Sequence, residues 1–300
     1  MQSDAPGPFY IARDDPRYPA RLLEIAGAPS GLWAVGRIEL LQAPAIAVVG
    51  SRNCSFHGRE DAELFARCFA RAGFCVVSGL ALGVDAAAHQ GALAENGSSI
   101  AVLGTGIDLD YPKGNKALAQ ALRTRGCVIT EFDPGTPPRG ANFPQRNRII
   151  SGLSLGVLVV EAADKSGSLI TARQAADQGR DVFAIPGSIH SPLAKGCHKL
   201  IREGAKLVDT PAHVLESLGW KGAAHGEVAL FEESPAGDDS GDVTAILKAL
   251  GNAPMSMDQV ALATGLPAGR IAAELSRLQV SQRVCSLPGG WFQRALPGNR

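Results

Sequence analysis

Aromatic residues are scarce in this sequence of 300 residues, at 5%, and long apolar runs are missing. No run approaches the roughly 18 apolar residues that a membrane span requires, so we expect no membrane partner. The first seven residues contain no basic region followed by an apolar stretch, which argues against a signal peptide. These absences predict a cytoplasmic protein.

Several patterns that carry catalysis or cofactors are also missing. The six cysteines form no C-x-x-C pair, so we expect reduced thiols without a disulfide framework or a zinc site. The phosphate-binding pattern G-x-x-x-x-G-K-[ST] and the metalloprotease pattern H-E-x-x-H do not occur. We therefore expect no metal, no cofactor, no catalytic residue and no enzymatic activity.

Charge is balanced overall, but it is unevenly distributed. The formal net charge is zero, yet residues 222–242 contain six acids and no Lys or Arg. The chain on either side of this stretch is therefore mildly basic. The acids either keep a linker solvated or compete with nucleic acid for a basic groove.

Short apolar runs, each ending at a polar residue or a glycine, dominate the chain from residue 44 onwards. Runs that are apolar on both faces indicate buried parallel strands, and the segments between them show helical periodicity. This alternation predicts an α/β fold, a doubly wound, mostly parallel Rossmann-like sheet. The runs are 45–49, 74–77, 100–103, 128–130, 157–160 and 182–185.

Four segments follow from these patterns. Residues 1–43 lack strong periodicity and are interpreted as an N-terminal extension. Residues 44–219 form the Rossmann-like domain, and residues 220–242 form the acidic linker. Residues 243–296 show three helical segments and a hairpin, the pattern of a small C-terminal winged-helix domain.

In an open parallel sheet the ligand binds at the carboxyl ends of the strands. The first strand ends in Gly50, Ser51 and Arg52. Gly50 allows a tight turn, and backbone N–H groups at the following helix start can hold an anion. Arg52 adds a phosphate donor, unless it pairs with a neighbouring carboxylate.

The strongest signal lies in residues 139–148, which contain three arginines and no acid. Arg139, Arg146 and Arg148 are expected near the positive end of a helix, and Phe143 offers a face for base stacking. Arginine beside an aromatic ring grips single strands without sequence preference. The alternative is that one arginine pairs with Glu131 or Glu161.

Weaker signals occur in three other loops. Lys113 could offer a point charge to the ligand. Ser168 and Thr171, at a helix start, either bind phosphate or cap the helix. Asp85 and His89 are four residues apart, but no third ligand has suitable spacing, so a capping or packing role is favoured over a metal site.

Taken in order, several sequence blocks resemble the DNA-processing protein A family, also called Smf. The resemblance covers about residues 18–218, and the C-terminal unit is similar to the winged helix found in many members. The blocks are GSRNCS (50–55), SGLALGVDAAAHQGAL (78–93), GTGIDLDYPKGN (104–115), FPQRNRIISGLS (143–154) and VVEAADKSGSLITARQA (159–175).

The resemblance implies a non-catalytic, homodimeric protein of natural transformation that binds single-stranded DNA, protects incoming strands and helps to load the RecA recombinase. It implies that residues 1–43 are the remnant of a helical domain. Arg52 and Lys113 match basic positions that contact DNA in the family, and Arg139 matches loosely. Phe143, Arg146, Asn147 and Arg148 match the family's RNR block.

Three other functions are weighed against this one. A nucleotide-cleaving hydrolase of the lysine-decarboxylase-like group would need the block P-G-G-x-G-T-x-x-E, and residues 166–171 are followed by no such glutamate. A dinucleotide-dependent oxidoreductase would need G-x-G-x-x-G after the first strand. A regulatory module acting through the winged helix is the third; the predicted recognition helix carries few basic residues, which favours a protein contact or weak duplex binding.

Overall fold

The computed structural model describes residues 7–220, 241–250, 254–280, 283–287 and 289–294. The chain divides into two compact units, Met1–Val228 and Ala229–Arg300. The predicted acidic linker lies almost entirely outside the described residues. Within those residues, no helix has the length and apolar character needed to cross a membrane.

The first unit is built on one sheet. Its strands are β1 (Phe9–Ala12), β2 (Gly31–Gly36), β3 (Ala45–Val49), β4 (Cys75–Ser78), β5 (Ser99–Val102), β6 (Cys127–Thr130), β7 (Gly156–Val159), β8 (Asp181–Ala184) and β9 (Lys206–Leu207). Their order across the sheet is β1-β2-β6-β5-β4-β3-β7-β8-β9. All neighbours from β6 to β9 are parallel, which confirms the mostly parallel sheet.

Helices cover both faces of this sheet and explain its apolar strands. On β3, Ala47 and Val49 pack into one apolar cluster, while Ile46 and Val48 pack into the cluster on the opposite face. A strand buried on both faces must be apolar throughout. The helices are α1 (Ala20–Leu23), α2 (Phe56–Arg71), α3 (Val84–Ala94), α4 (Lys116–Arg125), α5 (Asn142–Leu153), α6 (Ser168–Asp177), α7 (Lys195–Arg202) and α8 (Pro211–Ser217).

The N-terminal segment differs from the prediction of a separate extension or helical remnant. β2 pairs antiparallel with β6, and β1 pairs antiparallel with β2. Leu22 and Ile25 pack so closely on α5 that a Cβ at Gly152 would lie 2.9 Å from both side chains. The segment is therefore one edge of the sheet. β1 is a run of four residues and β2 is six residues that begin and end in glycine, so neither is long enough for periodicity to identify a strand.

The second unit is a winged helix, as predicted. It contains α9 (Gly241–Leu250), β10 (Met255–Ser256), α10 (Met257–Thr264), α11 (Ala268–Val280), β11 (Val284–Leu287) and β12 (Trp291–Arg294), with the strands ordered β10-β12-β11. Ser256 and Gln259 form a capping box at the start of α10, and Gly265 ends that helix in a left-handed conformation. Ile246, Ile271 and Leu275 lie at the centre of its core.

Candidate nucleic-acid interface

The centre of the sheet has the topology of a nucleotide-binding fold. From β3 the chain adds β4, β5 and β6 on one side, then crosses back to place β7 on the other side. Such a switch point opens a crevice at the carboxyl ends of the strands, where ligands usually bind. Here the crevice lies between the loop after β3 and the loop after β7.

A side chain of the protein itself fills the anion position in this crevice. The Ser55 N–H donates to Glu161 Oε2 at 2.8 Å, and the Ser55 hydroxyl donates to Glu161 Oε1 at 2.6 Å. The Ser51 N–H donates to the Glu161 carbonyl oxygen at 2.7 Å. This geometry does not support the expectation that backbone N–H groups after Gly50 hold a phosphate, because a carboxylate lies at the start of α2.

Gly50 and Ser51 instead shape the turn that presents Arg52. A Cβ at Gly50 would lie 2.7 Å from Val84 Cγ2, so the packing of α3 requires glycine. The Ser51 carbonyl oxygen accepts a hydrogen bond from the Val84 N–H at 3.1 Å. This turn fixes the backbone from which the exposed Arg52 side chain extends.

Arg52 leads a row of one cation and two aromatic rings. Its guanidinium carbon lies 5.4 Å from the centre of the Phe143 ring, and the centres of the Phe143 and Tyr111 rings are 5.7 Å apart at an interplanar angle of 31°. Among the described residues, no carboxylate lies within ion-pair distance of Arg52, so the carboxylate-pairing alternative is not observed. Arg52 thus keeps its charge for a ligand.

An open cleft of about 90 Å³ lies next to these side chains, over the ends of β4 and β5. Its walls are mostly apolar, and its floor carries Arg146 and backbone groups. The cleft is thus displaced from the filled switch point towards the neighbouring strands. The lining residues are Arg52, Gly79, Ala81, Leu82, Leu103, Gly104, Thr105, Tyr111, Pro112, Phe143 and Arg146.

Arg146 is part of the cleft floor and is only 4% exposed. Its Nη1 atom donates to the Gly79 carbonyl oxygen at 2.7 Å and also to the Val102 carbonyl oxygen. Burial lowers the pKa of Arg146 to about 10, and the charge of Asp85 opposes that shift. Arg146 therefore stays protonated at neutral pH and cross-links two strand ends, instead of extending into solvent as the sequence suggested.

Arg148 is the arginine that pairs with a neighbouring acid. Its Nη2 atom lies 2.6 Å from Glu131 Oε2, and both side chains are largely buried. Asn147 is buried as well, and its amide donates to the Gly167 carbonyl oxygen at 3.4 Å. The expectation that Arg148 faces the ligand is not supported by this geometry, whereas the pairing alternative is confirmed.

The remaining predicted positions lie around the cleft without lining it. Lys113 and Arg139 are exposed on the loops after β5 and β6. Ser168 and Thr171 are buried at the start of α6, and the Ser168 hydroxyl lies 2.7 Å from that of Ser166. The geometry of Ser168 and Thr171 favours a structural role over phosphate binding.

Asp85 and His89 are structural. Asp85 accepts hydrogen bonds from the N–H groups of Gly79 and Ala81 at 3.1 and 3.3 Å. His89 Nδ1 lies 2.8 Å from Ser99 Oγ, and burial lowers the pKa of His89 to about 3. Within the described part of the chain, no three His, Cys, Asp or Glu residues are arranged to hold a metal ion.

The sequence contains one Gly-x-Ser-x-Gly pattern, residues 152–156. In hydrolases this pattern exposes a nucleophilic serine on a strand-to-helix turn. Here Ser154 is buried on a helix-to-strand turn, and its hydroxyl donates to the Ile150 carbonyl oxygen at 2.8 Å. Ser154 is therefore a structural residue.

Sequence reasoning missed Tyr111 and Leu82, which form apolar walls of the cleft. Both are exposed large apolar residues on loops that follow buried strands. An aromatic or aliphatic residue at such a position, where loops ordinarily carry polar residues, is the signal that could have identified them.

Family models match both units of the chain. The model of DNA recombination-mediator protein A matches residues 9–219, and that of the DprA winged helix domain matches residues 232–290. Protein Smf of Escherichia coli (strain K12) is 41% identical over 97% of this chain and 78% of its own length. DNA processing protein DprA of Streptococcus pneumoniae (strain ATCC BAA-255 / R6) is 50% identical over 69% of this chain and 73% of its own length.

Solved structures agree with these matches. The X-ray structure of DNA processing protein A from Streptococcus pneumoniae has a TM-score of 0.67 at 47% identity, covering 71% of this chain and 74% of that chain. A structure from Helicobacter pylori, described for its single-stranded DNA binding mode, has a TM-score of 0.64 at 27% identity, covering 70% and 95%. Because a family model spans β1 to α8 and relatives match most of the chain, this protein belongs to the DNA recombination-mediator protein A family.

Proposed function

We propose that the first unit binds single-stranded DNA in the cleft beneath Arg52 and Phe143. The observation that carries this proposal is the exposed Arg52 guanidinium, which lies against Phe143 and above the buried charge of Arg146. A phosphate at Arg52 and a base against the exposed ring of Tyr111 would use both kinds of group at once. The Helicobacter pylori relative, whose structure is described for single-stranded DNA binding, supports the same ligand class.

The predicted site residues divide into two groups under this proposal. Arg52, Phe143 and Tyr111 contact the strand, and Lys113 and Arg139 contact it where it enters or leaves the cleft. The second group positions these loops without contacting DNA, and Arg146 adds its charge to the cleft floor. That group comprises Gly50, Ser51, Arg146, Asn147, Arg148, Ser168 and Thr171.

We further propose that the chain acts without catalysis, as a cytoplasmic homodimer in natural transformation. It would protect incoming strands and help to load RecA onto them. Two observations support this role: membership of a recombination-mediator family, and a cleft whose polar groups suit binding more than bond cleavage. The groups that line the cleft offer charge and ring faces but no paired acid and base.

The decisive experiment is a fluorescence anisotropy titration of a labelled oligothymidine with wild-type protein and Arg52→Ala. We expect about tenfold weaker binding in the variant, because a charge-assisted phosphate contact is lost. The slope of log K against log salt should flatten by about 0.7, which corresponds to one phosphate on a single strand. Duplex of the same length should bind more weakly than the single strand.

Arg202→Ala is the matched control, because Arg202 is an exposed arginine at the far end of α7. It should bind like wild type. Equal affinities of wild type and Arg52→Ala would refute the cleft as the binding site. Loss of RecA loading in Arg52→Ala, but not in Arg202→Ala, would connect the cleft to the finer role.

A further inference from the structure

Large apolar side chains are exposed along the carboxyl ends of the parallel strands, where the cleft also lies. Phe56, Leu82, Tyr111, Ile170 and Ile189 all lie on segments that follow the carboxyl ends of parallel strands. Water-exposed apolar groups concentrated at the carboxyl ends of the strands indicate an interaction surface larger than the cleft itself. One further exposed aromatic residue of this unit, Tyr10, lies at the antiparallel end of the sheet.

Strand register places Tyr10 level with the carboxyl ends of the parallel strands. Trp33 in β2 pairs with Thr130, the last residue of β6, and Tyr10 in β1 pairs with Trp33. The two rings lie 5.3 Å apart, edge to face at 60°, and Tyr10 is 43% exposed. β2 and β1 are two and three strand spacings from β5, so Trp33 and Tyr10 lie about 10 and 14 Å from the cleft across the sheet.

Local contacts hold this pair in place. The indole N–H of Trp33 donates to Asp133 Oδ1 at 3.4 Å. The Tyr10 ring lies across Gly31, where a Cβ would come within 2.2 Å of the phenolic oxygen, so a larger residue at position 31 would displace the ring. A ring whose position is already fixed loses little conformational entropy when a base stacks on it.

The segment 131–141 connects this pair to the cleft. The Gly106 N–H donates to the Thr136 carbonyl oxygen at 2.9 Å, and the Asn142 amide donates to the Gly104 carbonyl oxygen at 3.0 Å. The segment is therefore anchored at the cleft wall and, through Asp133, at Trp33. In the sequence, the exposed Arg139 lies between Asp133, which contacts Trp33, and Asn142, which contacts Gly104.

Acidic side chains along this connection are engaged within the protein. Asp133 accepts from Trp33, and Asp108 Oδ1 accepts from the Gly135 N–H at 2.8 Å. Glu131 pairs with Arg148 at 2.6 Å. Of these three contacts, the Glu131–Arg148 pair balances a charge, and the other two hold the Asp133 and Asp108 carboxylates in place. The exposed Arg139 side chain is the cation that a phosphate would meet on this route.

We propose that Tyr10 and Trp33 form a second base-stacking subsite for the strand that occupies the cleft, reached past Arg139. The proposal rests on the proposed function, because the same strand must be bound by Arg52. The proposal defines a path for the DNA strand, which leaves the cleft over β4 and β5 and crosses β6 towards β1. Strands too short to span this distance fill the cleft alone.

The test compares a labelled oligothymidine of about four nucleotides with one of about twelve. Tyr10→Ala should bind the longer strand at least fivefold more weakly and the shorter strand as wild type does, since one stacked base contributes about 1–3 kcal/mol. Tyr10→Phe keeps the ring and should retain wild-type affinity for both strands. Leu64→Ala, which truncates an exposed apolar residue on α2, is the control and should change neither affinity.

Trp33 fluorescence gives an independent readout that requires no substitution of Tyr10 or Trp33. In a variant with Trp220→Phe and Trp291→Phe, Trp33 is the remaining tryptophan, and the longer strand but not the shorter one should quench it. Unquenched Trp33 fluorescence together with unchanged affinity in Tyr10→Ala would overturn the subsite. The loss of binding in Arg52→Ala would then still stand, so failure of the subsite is distinguishable from failure of the cleft.

Discussion

Arg52 and Arg146 border the same cleft, yet their surroundings give them different roles. Arg52 is exposed on a turn, and its guanidinium lies against a ring. Arg146 is enclosed, with one nitrogen bound to two strand ends and the charge of Asp85 acting on it. Removing the first costs ligand contacts, whereas removing the second also costs structure.

Arg146→Ala should lower the free energy of unfolding by about 3 kcal/mol, because it leaves two carbonyl oxygens unpaired and Asp85 buried without its counter-charge. Arg52→Ala should change that free energy by less than about 0.5 kcal/mol. Urea denaturation at pH 7, followed by circular dichroism, measures both. Similar stability of the two variants would show that Arg146 contributes to binding alone.

The sequence predicted which segments carry the site but not which of their side chains face solvent. A run of three arginines without an acid suggested three exposed cations, and the fold leaves one of them exposed. Helical phase contained the missing information, since Arg146 is three and four residues from the buried Ile149 and Ile150. The partner of Arg148 could not be predicted in full, because Glu131 is close in space only after β6 and α5 have packed.

At the scale of elements, the strands that alternate with helices were predicted, and the first two strands of the sheet were missed. β3 to β8 were predicted because both faces of each strand pack against helices. β1 and β2 were missed because each is a short apolar run that pairs antiparallel, outside the series of strands that alternate with helices. Strand register decides where the Tyr10 and Trp33 rings lie. Because Trp33 pairs with Thr130, the last residue of β6, both rings are level with the carboxyl ends of the parallel strands.

Helix α2 carries a pH-sensitive group near its capped start. Burial raises the pKa of Asp61 to about 6, the charge of Glu161 raises it further, and His57 lowers it. An unfolded aspartate titrates at about 4, so the folded state binds more protons between about pH 4 and 6. The contribution of Asp61 to stability therefore decreases as pH rises through this window.

Asp61→Asn should raise the free energy of unfolding above about pH 6, where the wild type buries a charged carboxylate. The gain should shrink as pH falls and vanish below about pH 4, where Asp61 is neutral in both states. Urea denaturation from pH 4 to 8 measures the difference, with Asp177→Asn on α6 as the control for loss of an exposed acid. A gain that is constant across this range would contradict burial as its cause.

At the scale of the whole molecule, the first unit has the sheet topology of a nucleotide-binding protein, but its open cleft lies beside the switch point. Glu161 occupies the phosphate position of the switch point, and the cleft lies over the neighbouring strands β4 and β5. Under the proposed function, a strand bound in this cleft runs across the carboxyl ends of the parallel strands and not into the switch point. The separate winged-helix unit adds a second module whose ligand the first unit does not determine.

The three tryptophans report on different parts of the molecule. Trp33 probes the sheet, Trp220 probes the segment after α8, and Trp291 probes the winged helix. Trp33 lies in β2, Trp220 packs on Phe74 with ring centres 4.4 Å apart, and Trp291 lies in β12. In single-tryptophan variants with the other two changed to Phe, urea unfolding should give coincident transitions for Trp33 and Trp220. Trp291 should report a lower midpoint and a smaller slope, because a small core buries less surface and the slope scales with surface exposed. A Trp33 transition separate from that of Trp220 would make residues 9–36 an independent extension after all, and coincidence of all three would mean that the two units unfold as one.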